Sequence, residues 1–91
     1  MREIERTTRF KRDNKRERKS DPTVNLLLIA VLNYLIADVD LPARFQDHSL
    51  GGDWKGYRDC HIKPDLVLIY AKVGTDLLRL ARLGSHSEIF G

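Results

Sequence analysis

Three histidines, all in the C-terminal half of the chain, are the residues best suited to proton transfer at neutral pH: His48, His61 and His86. Imidazole has an unperturbed pKa of about 6.5, so each histidine can act as a general base or a general acid. Arg82 and Phe90 flank His86, and they bring a group that can hold two phosphate oxygens and a ring that can stack on a nucleobase. This set suits cleavage of RNA through its own 2′-hydroxyl, which needs a base, an acid and a positive group.

Each of these residues also has a structural interpretation. Asp65, a further candidate, follows Lys63-Pro64 and can simply be a turn residue, while His48 can be a surface group in a loop. Arg82 can form an ordinary ion pair, and the segment 82–91 can be a capped chain end with an apolar plug. Residue types and spacing alone therefore indicate a nucleic-acid enzyme but leave a structural role open.

A metal site is not predicted. Cys60 and His61 are adjacent, so on a strand their side chains face opposite sides of the sheet and cannot share an ion. No pair of histidines has the spacing of a helical or knuckle-type zinc site. We therefore expect acid–base chemistry without a metal or another cofactor.

The positive charge is concentrated at the N-terminus. Residues 1–19 contain nine Lys or Arg and four acidic residues, a net charge of +5, whereas the remaining 72 residues have seven basic and nine acidic ones, a net charge of −2. A basic segment attracts polyanions such as nucleic acid through its field and through counterion release. A solvated helix face or a contact with an acidic partner explains the pattern equally well.

The composition predicts one globular domain, residues 1–91, since 42% of the residues are hydrophobic and 32% are charged. No apolar run reaches the roughly 18–20 residues that span a bilayer, and the charged start is unlike a secretory signal, so we expect no membrane contact. A single cysteine, Cys60, cannot form an internal disulfide, which fits a cytoplasmic protein.

The N-terminal half predicts two helices after a short edge strand at 4–7. The first, about 8–19, is basic and has Phe10 as its only large apolar residue, so charge pairs or a partner would have to stabilise it. The second, about 22–38, begins with Asp21 as N-cap and Pro22 at the first helical position. Its apolar residues recur with helical spacing and predict a core-facing stripe: Val24, Leu27, Leu28, Val31, Leu32, Leu35 and Ile36.

The C-terminal half, about 48–91, predicts a sheet that contains the candidate active site. A loop covers about 40–52, and three apolar stretches separated by turn-forming residues follow it. Their short lengths favour antiparallel strands joined by hairpins. The stretches are Trp54 to Ile62, Leu66 to Ala71 and Leu77 to Leu83. The sequence therefore predicts an α+β fold, with two N-terminal helices packed on a small antiparallel sheet.

Residues 43–91 resemble a known family. The segment "FQDHSLGGDWKGYRDCHIKPDLVLIY" followed by "LLRLARLGSHSEIFG" is similar to the YafQ branch of the RelE/ParE toxin superfamily. The motifs that carry the resemblance are D-H-x-L, W-K-G-Y-R-x-x-H-I-x-P-D and R-x-G-[ST]-H-x-x-x-F. The resemblance implies the microbial-ribonuclease-like fold and a toxin that cuts mRNA in the ribosomal A site.

The resemblance also implies roles for six residues of this sequence. His86 corresponds to the general acid or base nearest the scissile phosphate, and Arg82 to the transition-state stabiliser. The other proton-handling and orienting groups are His48, His61 and Asp65, and Phe90 holds the mRNA base. Additional RNA contacts are predicted at Lys55, Arg58 and Trp54.

The implied partners are the ribosome, mRNA and an antitoxin of the ribbon-helix-helix, DinJ-like kind. The toxin would contact operator DNA only through this antitoxin. Two rival functions remain: a ParE-type toxin that poisons DNA gyrase without catalysis, and a binding module whose histidines are structural. The His/Asp/Arg set argues against the gyrase poison. Because a free tail could not position His86, we expect residues 84–91 to pack against the sheet near His48 and His61.

Overall fold

The computed structural model describes all residues, 1–91. The chain forms three helices and five strands, and two short 3-10 helices, Ala43–Phe45 and Gly52–Trp54, lie in the connection between α2 and β3, one on each side of β2. The elements in chain order are β1 (Glu3–Arg6), α1 (Thr8–Ser20), α2 (Val24–Ile36), β2 (His48–Ser49), β3 (Arg58–Lys63), β4 (Leu66–Val73), β5 (Leu77–Gly84) and α3 (His86–Phe90).

The five strands form one sheet in the order β1-β5-β4-β3-β2. The three long C-terminal strands pair antiparallel, as predicted, and β1 is an edge strand. The predicted α+β fold with two N-terminal helices is confirmed, but the sheet is mixed, because β1 runs parallel to β5, with Glu3 opposite Leu77. Since α1 and α2 intervene between β1 and the rest of the sheet, the chain has the long crossover that a parallel pairing requires.

Helix α1 docks without a large apolar face. Thr7 caps it by accepting a hydrogen bond from the Phe10 N–H, and Phe10 is fully buried in the core. Polar side chains of Thr7 and α1 also bond to backbone N–H and carbonyl groups of β5 in the part of that strand that β1 does not cover. Thr7 donates to the Ala81 carbonyl (2.9 Å), Asp13 accepts from the Leu83 N–H (3.0 Å) and Arg16 donates to the Leu83 carbonyl (3.1 Å). The chain therefore orders this helix from its own polar groups.

Helix α2 supplies much of the core, but it starts later than predicted. Its N-cap is Thr23, whereas Asp21 caps the end of α1 and accepts hydrogen bonds from the Thr23 N–H and hydroxyl. Five of the seven predicted stripe residues are buried, while Leu27 is 37% exposed and Ile36 is half-buried. The buried ones are Val24, Leu28, Val31, Leu32 and Leu35.

The two faces of the sheet have different environments. One face packs on α1 and α2 through a cluster of 14 buried residues that includes Phe10, Cys60 and Tyr70. The opposite face carries a smaller cluster of Val67, Ile69 and Ala81, partly covered by side chains of the β2–β3 connection and by Ile89 of α3. This second face, which α1 and α2 leave uncovered, is called the open face below. No helix is long and apolar enough to cross a membrane.

Two predicted boundaries in the middle of the chain are wrong. His48 lies on the short strand β2 rather than in a loop, and it pairs with Asp59 of β3. Trp54 belongs to a 3-10 helix, so β3 begins four residues later, at Arg58. Gly56, with φ of 91°, makes the turn between them, a backbone conformation that residues with a side chain rarely adopt.

Candidate active site

The strand register places the candidate residues in two rows on the open face. His48 is opposite Asp59, Asp59 is opposite Ile69, and Ile69 is opposite Arg82, which makes one row across four strands. In the neighbouring row, His61 is opposite Val67. Paired residues of adjacent strands project from the same face of a sheet, so residues up to 34 positions apart in the sequence share this face.

His48 is held by its Nδ1 atom. This nitrogen lies 2.8 Å from the carbonyl oxygen of Gln46 and 3.1 Å from Oδ1 of Asp59. Both neighbours are acceptors, so we assign the hydrogen of the neutral ring to Nδ1. The bare Nε2 atom is then left for a substrate, and the side chain is 53% exposed. Nε2 is therefore the ring atom of His48 that is available to accept a proton.

The rings of His61, His86 and Phe90 form a continuous line. The ring centroids of His61 and His86 are 5.4 Å apart, and those of His86 and Phe90 are also 5.4 Å apart. Nδ1 of His61 faces the Pro64 carbonyl at 3.3 Å, which leaves its Nε2 free in the same way as in His48. Two proton carriers and a stacking surface therefore share one side of the open face.

A capping box fixes the helix that carries His86 and Phe90. Ser85 accepts a hydrogen bond from the Glu88 N–H (3.2 Å), and the Glu88 carboxylate accepts from the Ser85 N–H (3.0 Å). Ile89 packs against the smaller apolar cluster of the sheet. The tail thus packs on the sheet next to His61, as predicted, and Asp59 links it to His48.

Gly84 allows the tail to approach β5 closely. A Cβ atom at this position would lie 3.2 Å from Nη2 of Arg16 and 3.4 Å from Oε1 of Glu88. Arg16 of α1 and Glu88 of α3 meet at this point, with a nitrogen–oxygen distance of 3.6 Å. Helices α1 and α3 are therefore in contact beside Gly84, the last residue of β5.

Arg82 is buried and paired with Asp13 of α1. Its Nε is 2.7 Å from Oδ2 and its Nη2 is 3.4 Å from Oδ1 of Asp13, and the side chains are 9% and 5% exposed. Burial alone would raise the pKa of Asp13, but hydrogen bonds from Arg82 and the Leu83 N–H lower it below its ordinary value. The Nη1 atom of Arg82 makes no hydrogen bond within the protein.

Asp65 is separate from this arrangement. It lies exposed in the turn between β3 and β4, and neither an ion pair nor a hydrogen bond joins its side chain to a histidine. Its link to the site is indirect, because the neighbouring Pro64 carbonyl holds the His61 ring.

The three additional RNA-binding candidates have different environments. Trp54 is half-buried and packs edge-on against Tyr57, with ring centroids 5.4 Å apart. Arg58 is paired with Asp47 at 3.2 Å, an interaction that raises the pKa of its guanidinium. Lys55 is exposed and without an ion pair. Lys55 therefore offers an unpaired positive charge to a phosphate, whereas the charge of Arg58 is shared with Asp47.

A family model described as the bacterial toxin of the type II toxin–antitoxin system, YafQ, matches residues 2–91. The chain belongs to the YafQ family. The mRNA interferase toxin YafQ of Escherichia coli strain K12 is 40% identical over 91 residues, which are 100% of this chain and 98% of that protein.

Solved structures of similar toxins have the same fold. In the DinJ-YafQ complex of E. coli, the matching chain is 41% identical and has a TM-score of 0.87, with all of both chains covered. A metal-bound toxin from Helicobacter pylori is 40% identical and has a TM-score of 0.90, covering 99% of this chain and 100% of that one.

The metal in the H. pylori toxin raises the question of whether this YafQ-family chain has a comparable site. No group of three or more His, Cys, Asp or Glu side chains is placed to hold a metal ion. Cys60 lies in the core on the helix side of the sheet, while His61 is on the open face, so the two cannot bind one ion. The residues as arranged do not fit a metal, and we derive no catalytic step through one.

Sequence reasoning missed two acidic residues that organise this YafQ-family site, Asp59 and Asp13. Asp59 is 1% exposed and Asp13 is 4% exposed. Each had a signal in the sequence. Asp59 is two residues before His61 on a strand, so the two share a face. Asp13 is three residues after Phe10 on a helix, so it projects from the face that Phe10 buries.

Proposed function

We propose that this protein is the toxin of a type II toxin–antitoxin pair, an endoribonuclease that cleaves mRNA in the ribosomal A site. Membership of the YafQ family supports the toxin assignment, and the E. coli relative named an mRNA interferase supports the activity. The observation that carries the proposal is the line of His61, His86 and Phe90 rings beside a buried carboxylate on the open face.

The proposed reaction needs only proton transfer and charge stabilisation. A neutral histidine takes the proton of the 2′-hydroxyl while the 2′-oxygen forms a bond to phosphorus. The bond from phosphorus to the 5′-oxygen breaks, and a protonated histidine gives its proton to that oxygen. The products are a 2′,3′-cyclic phosphate and a free 5′-hydroxyl.

The residues divide these tasks by their geometry. His48 and His61 present a bare Nε2 atom, which suits a base. The family resemblance assigns His86, at the start of α3, as the acid or base nearest the scissile phosphate. Arg82 offers its unengaged Nη1 to a phosphate oxygen while Asp13 holds the rest of its guanidinium. Phe90, 41% exposed, stacks on a splayed base. Asp65 takes part only through its turn, in which the neighbouring Pro64 carbonyl holds the His61 ring.

The proposed partner is an antitoxin of the ribbon-helix-helix class, and operator DNA is reached only through it. The E. coli relative is in complex with DinJ. Exposed apolar side chains on and beside α2 support a protein partner, since monomeric proteins keep such patches small. Leu26 is 71% exposed, Ile29 is 53% exposed and Val39 is 52% exposed.

Two further features of the proposal follow from the chemistry. The toxin acts without a metal ion, because histidine, arginine and a carboxylate supply every group that the reaction needs. Its place of action is the cytoplasm, where ribosomes translate. The rival function of a gyrase poison is disfavoured, because it has no use for two histidines directed at one buried carboxylate with a third histidine beside them.

The experiment is in vitro translation of a defined mRNA with wild-type protein and with His86→Ala, with the 5′ ends mapped by primer extension. Discrete in-frame cuts that need ribosomes and vanish with His86→Ala are the expected result. Protein treated with EDTA and returned to magnesium buffer should cut equally well, because no step uses a bound metal.

Three results would contradict the proposal in different ways. Translation that stops without cleavage, or a His86→Ala variant that cuts normally, would refute the assignment of the site. Loss of cutting after EDTA treatment, restored by adding a transition metal, would refute the metal-free reaction alone. Inhibition of DNA gyrase in a supercoiling assay would return the ParE-type function.

A further inference from the structure

Asp59 is a buried carboxylate without a structural partner. Its side chain is 1% exposed, and its Oδ1 atom receives no hydrogen bond of good geometry. Removing an ionised carboxylate from water is costly unless the charge is paired or hydrogen-bonded. The chain nevertheless has an aspartate at this buried position on the open face, which points to a role beyond packing.

Within 4 Å of the Asp59 carboxylate, the groups that can carry a positive charge are two histidines. Oδ1 lies 3.1 Å from Nδ1 of His48, and Oδ2 lies 3.9 Å from Nε2 of His86. Arg58, the next residue along the chain, pairs with Asp47 instead. The carboxylate therefore sits between the two imidazoles, with one oxygen directed to each.

We infer that Asp59 is the positioning residue of the active site, a single buried carboxylate that orients His48 and His86 and stabilises whichever of them carries the proton. This inference rests on the proposed function. During cleavage, the base becomes an imidazolium and the acid loses its proton, so positive charge moves from one histidine to the other. A carboxylate placed between them interacts with that charge before and after the transfer.

The arrangement also determines which nitrogen faces the substrate. His48 turns Nδ1 towards Asp59 and the Gln46 carbonyl, so Nε2 points outward. His86 turns Nε2 towards Asp59, so its Nδ1 is the atom left for the RNA. Asp59 is too buried to touch a phosphate itself, and its effect is exerted through the two rings.

The test compares Asp59→Asn with wild type in single-turnover cleavage on programmed ribosomes. The control is Asp40→Asn, which removes an exposed carboxylate without an ion pair. We expect the rate at saturating toxin to fall about tenfold or more for Asp59→Asn, with the half-saturating concentration changed less than about twofold. A rate within about twofold of wild type would overturn the inference, as would a loss expressed only in the half-saturating concentration.

Imidazole ¹⁵N NMR of the resting protein gives a second, independent measurement. Wild type should show His48 as the Nδ1–H tautomer, and Asp59→Asn should move the ring signals of His48 and His86 more than those of His61. An Nε2–H tautomer of His48 in wild type would overturn the inference even if Asp59→Asn does not fold. If wild type itself does not cleave mRNA, the proposed function fails, while the ring signals still decide whether Asp59 positions the two histidines.

Discussion

At the scale of single residues, two buried aspartates contact the residues of the proposed site, whereas most lysines and arginines lie outside it at the surface. Asp59 and Asp13 are both almost fully buried, and each lies against residues assigned to the reaction. Most of the lysines and arginines, by contrast, lie at the surface. In the proposed site, Asp59 positions His48 and His86, and Asp13 holds Arg82.

Replacing Asp13 with Asn should destabilise the protein and slow cleavage. The change leaves the buried guanidinium of Arg82 without its anion, and breaking such a pair from one side costs about 3–5 kcal/mol. Urea unfolding followed by circular dichroism measures the free energy of unfolding, and single-turnover cleavage measures the rate.

Asp40→Asn, at an exposed site, is the matched control for that experiment and should change the free energy of unfolding by less than about 0.5 kcal/mol. If Asp13→Asn unfolds at the wild-type urea concentration, the ion pair with Arg82 contributes nothing to stability. The role of α1 in holding the site would then be wrong.

At the scale of the elements, the two ends of the chain converge on β5. Helix α1 satisfies the open edge of β5 with polar side chains, and α3 packs beyond its last residue, Gly84. α3 has only five residues, too few to be stable as an isolated helix. Its capping box and the contact of Ile89 with the sheet therefore decide whether His86 and Phe90 are in place.

Replacing Ser85 with Ala should reduce activity more than global stability. The change removes the side chain that accepts from the Glu88 N–H, a loss of about 0.5–2 kcal/mol for an N-cap. Because α3 is terminal, it should fray locally while the core stays folded. Hydrogen exchange of the Ile89 amide should quicken, and cleavage should slow, with little change in the urea midpoint.

Ser20→Ala, at the exposed end of α1, is the control for the serine-to-alanine change and should alter none of these quantities. Wild-type cleavage together with accelerated exchange in Ser85→Ala would show that an ordered α3 is not needed for the reaction.

At the scale of the whole molecule, the charge is divided between a basic N-terminal segment and a slightly acidic remainder. Not every base of that segment is available to RNA. Arg16 is committed to Asp13, Glu17, Glu88 and the Leu83 carbonyl. The exposed bases without an ion pair include Arg12, Lys15 and Lys19.

Changing Arg12, Lys15 and Lys19 together to Glu should weaken ribosome binding and reduce its dependence on salt, because fewer counterions are released. Leaving Arg16 unchanged preserves its contacts with β5 and α3, so the fold should be retained. Sedimentation with ribosomes over a range of potassium concentrations measures both effects. His86→Ala keeps all these charges and serves as the control, and binding equal to the control at every salt concentration would refute the prediction.

Because several surface carboxylates are paired with lysines or arginines, we expect the thermal stability of the protein to fall in acid. A hydrogen bond from the Thr23 hydroxyl and the ammonium of Lys63 lower the pKa of Asp21 from 3.8 to about 2. The ammonium of Lys72 does the same for Asp38, again to about 2. A carboxyl whose folded pKa is lowered stabilises the protein above the unfolded pKa, and that contribution is lost as the pH falls through the folded value.

The thermal midpoint should therefore be level from about pH 6 to 4.5 and fall between about pH 4 and 2. Replacing Asp21 and Asp38 with Asn should lower the midpoint at neutral pH and make the acid decline shallower. Thermal scans by circular dichroism at half-unit pH steps measure both, and a wild-type midpoint unchanged down to pH 2.5 would contradict the prediction.

The sequence by itself determined the α+β class, the existence of both N-terminal helices and the order of the three long strands. These features depend on local periodicity, caps and turn residues, such as Thr7 before α1 and the turn residues 63–65 between β3 and β4. The family motif in residues 43–91 also selected the three histidines, Arg82 and Phe90. Their grouping is visible along the chain because a motif preserves order.

Only the tertiary structure decided how those residues meet. Register is a non-local property, and pairing His48 with Asp59, and Arg82 with Ile69, puts them in one row that no local pattern specifies. The parallel pairing of β1 with β5 depends on the path through α1 and α2. The sequence indicates that Asp59 shares a strand face with His61 and that Asp13 shares a helix face with Phe10, but the burial of both carboxylates follows from these long-range contacts.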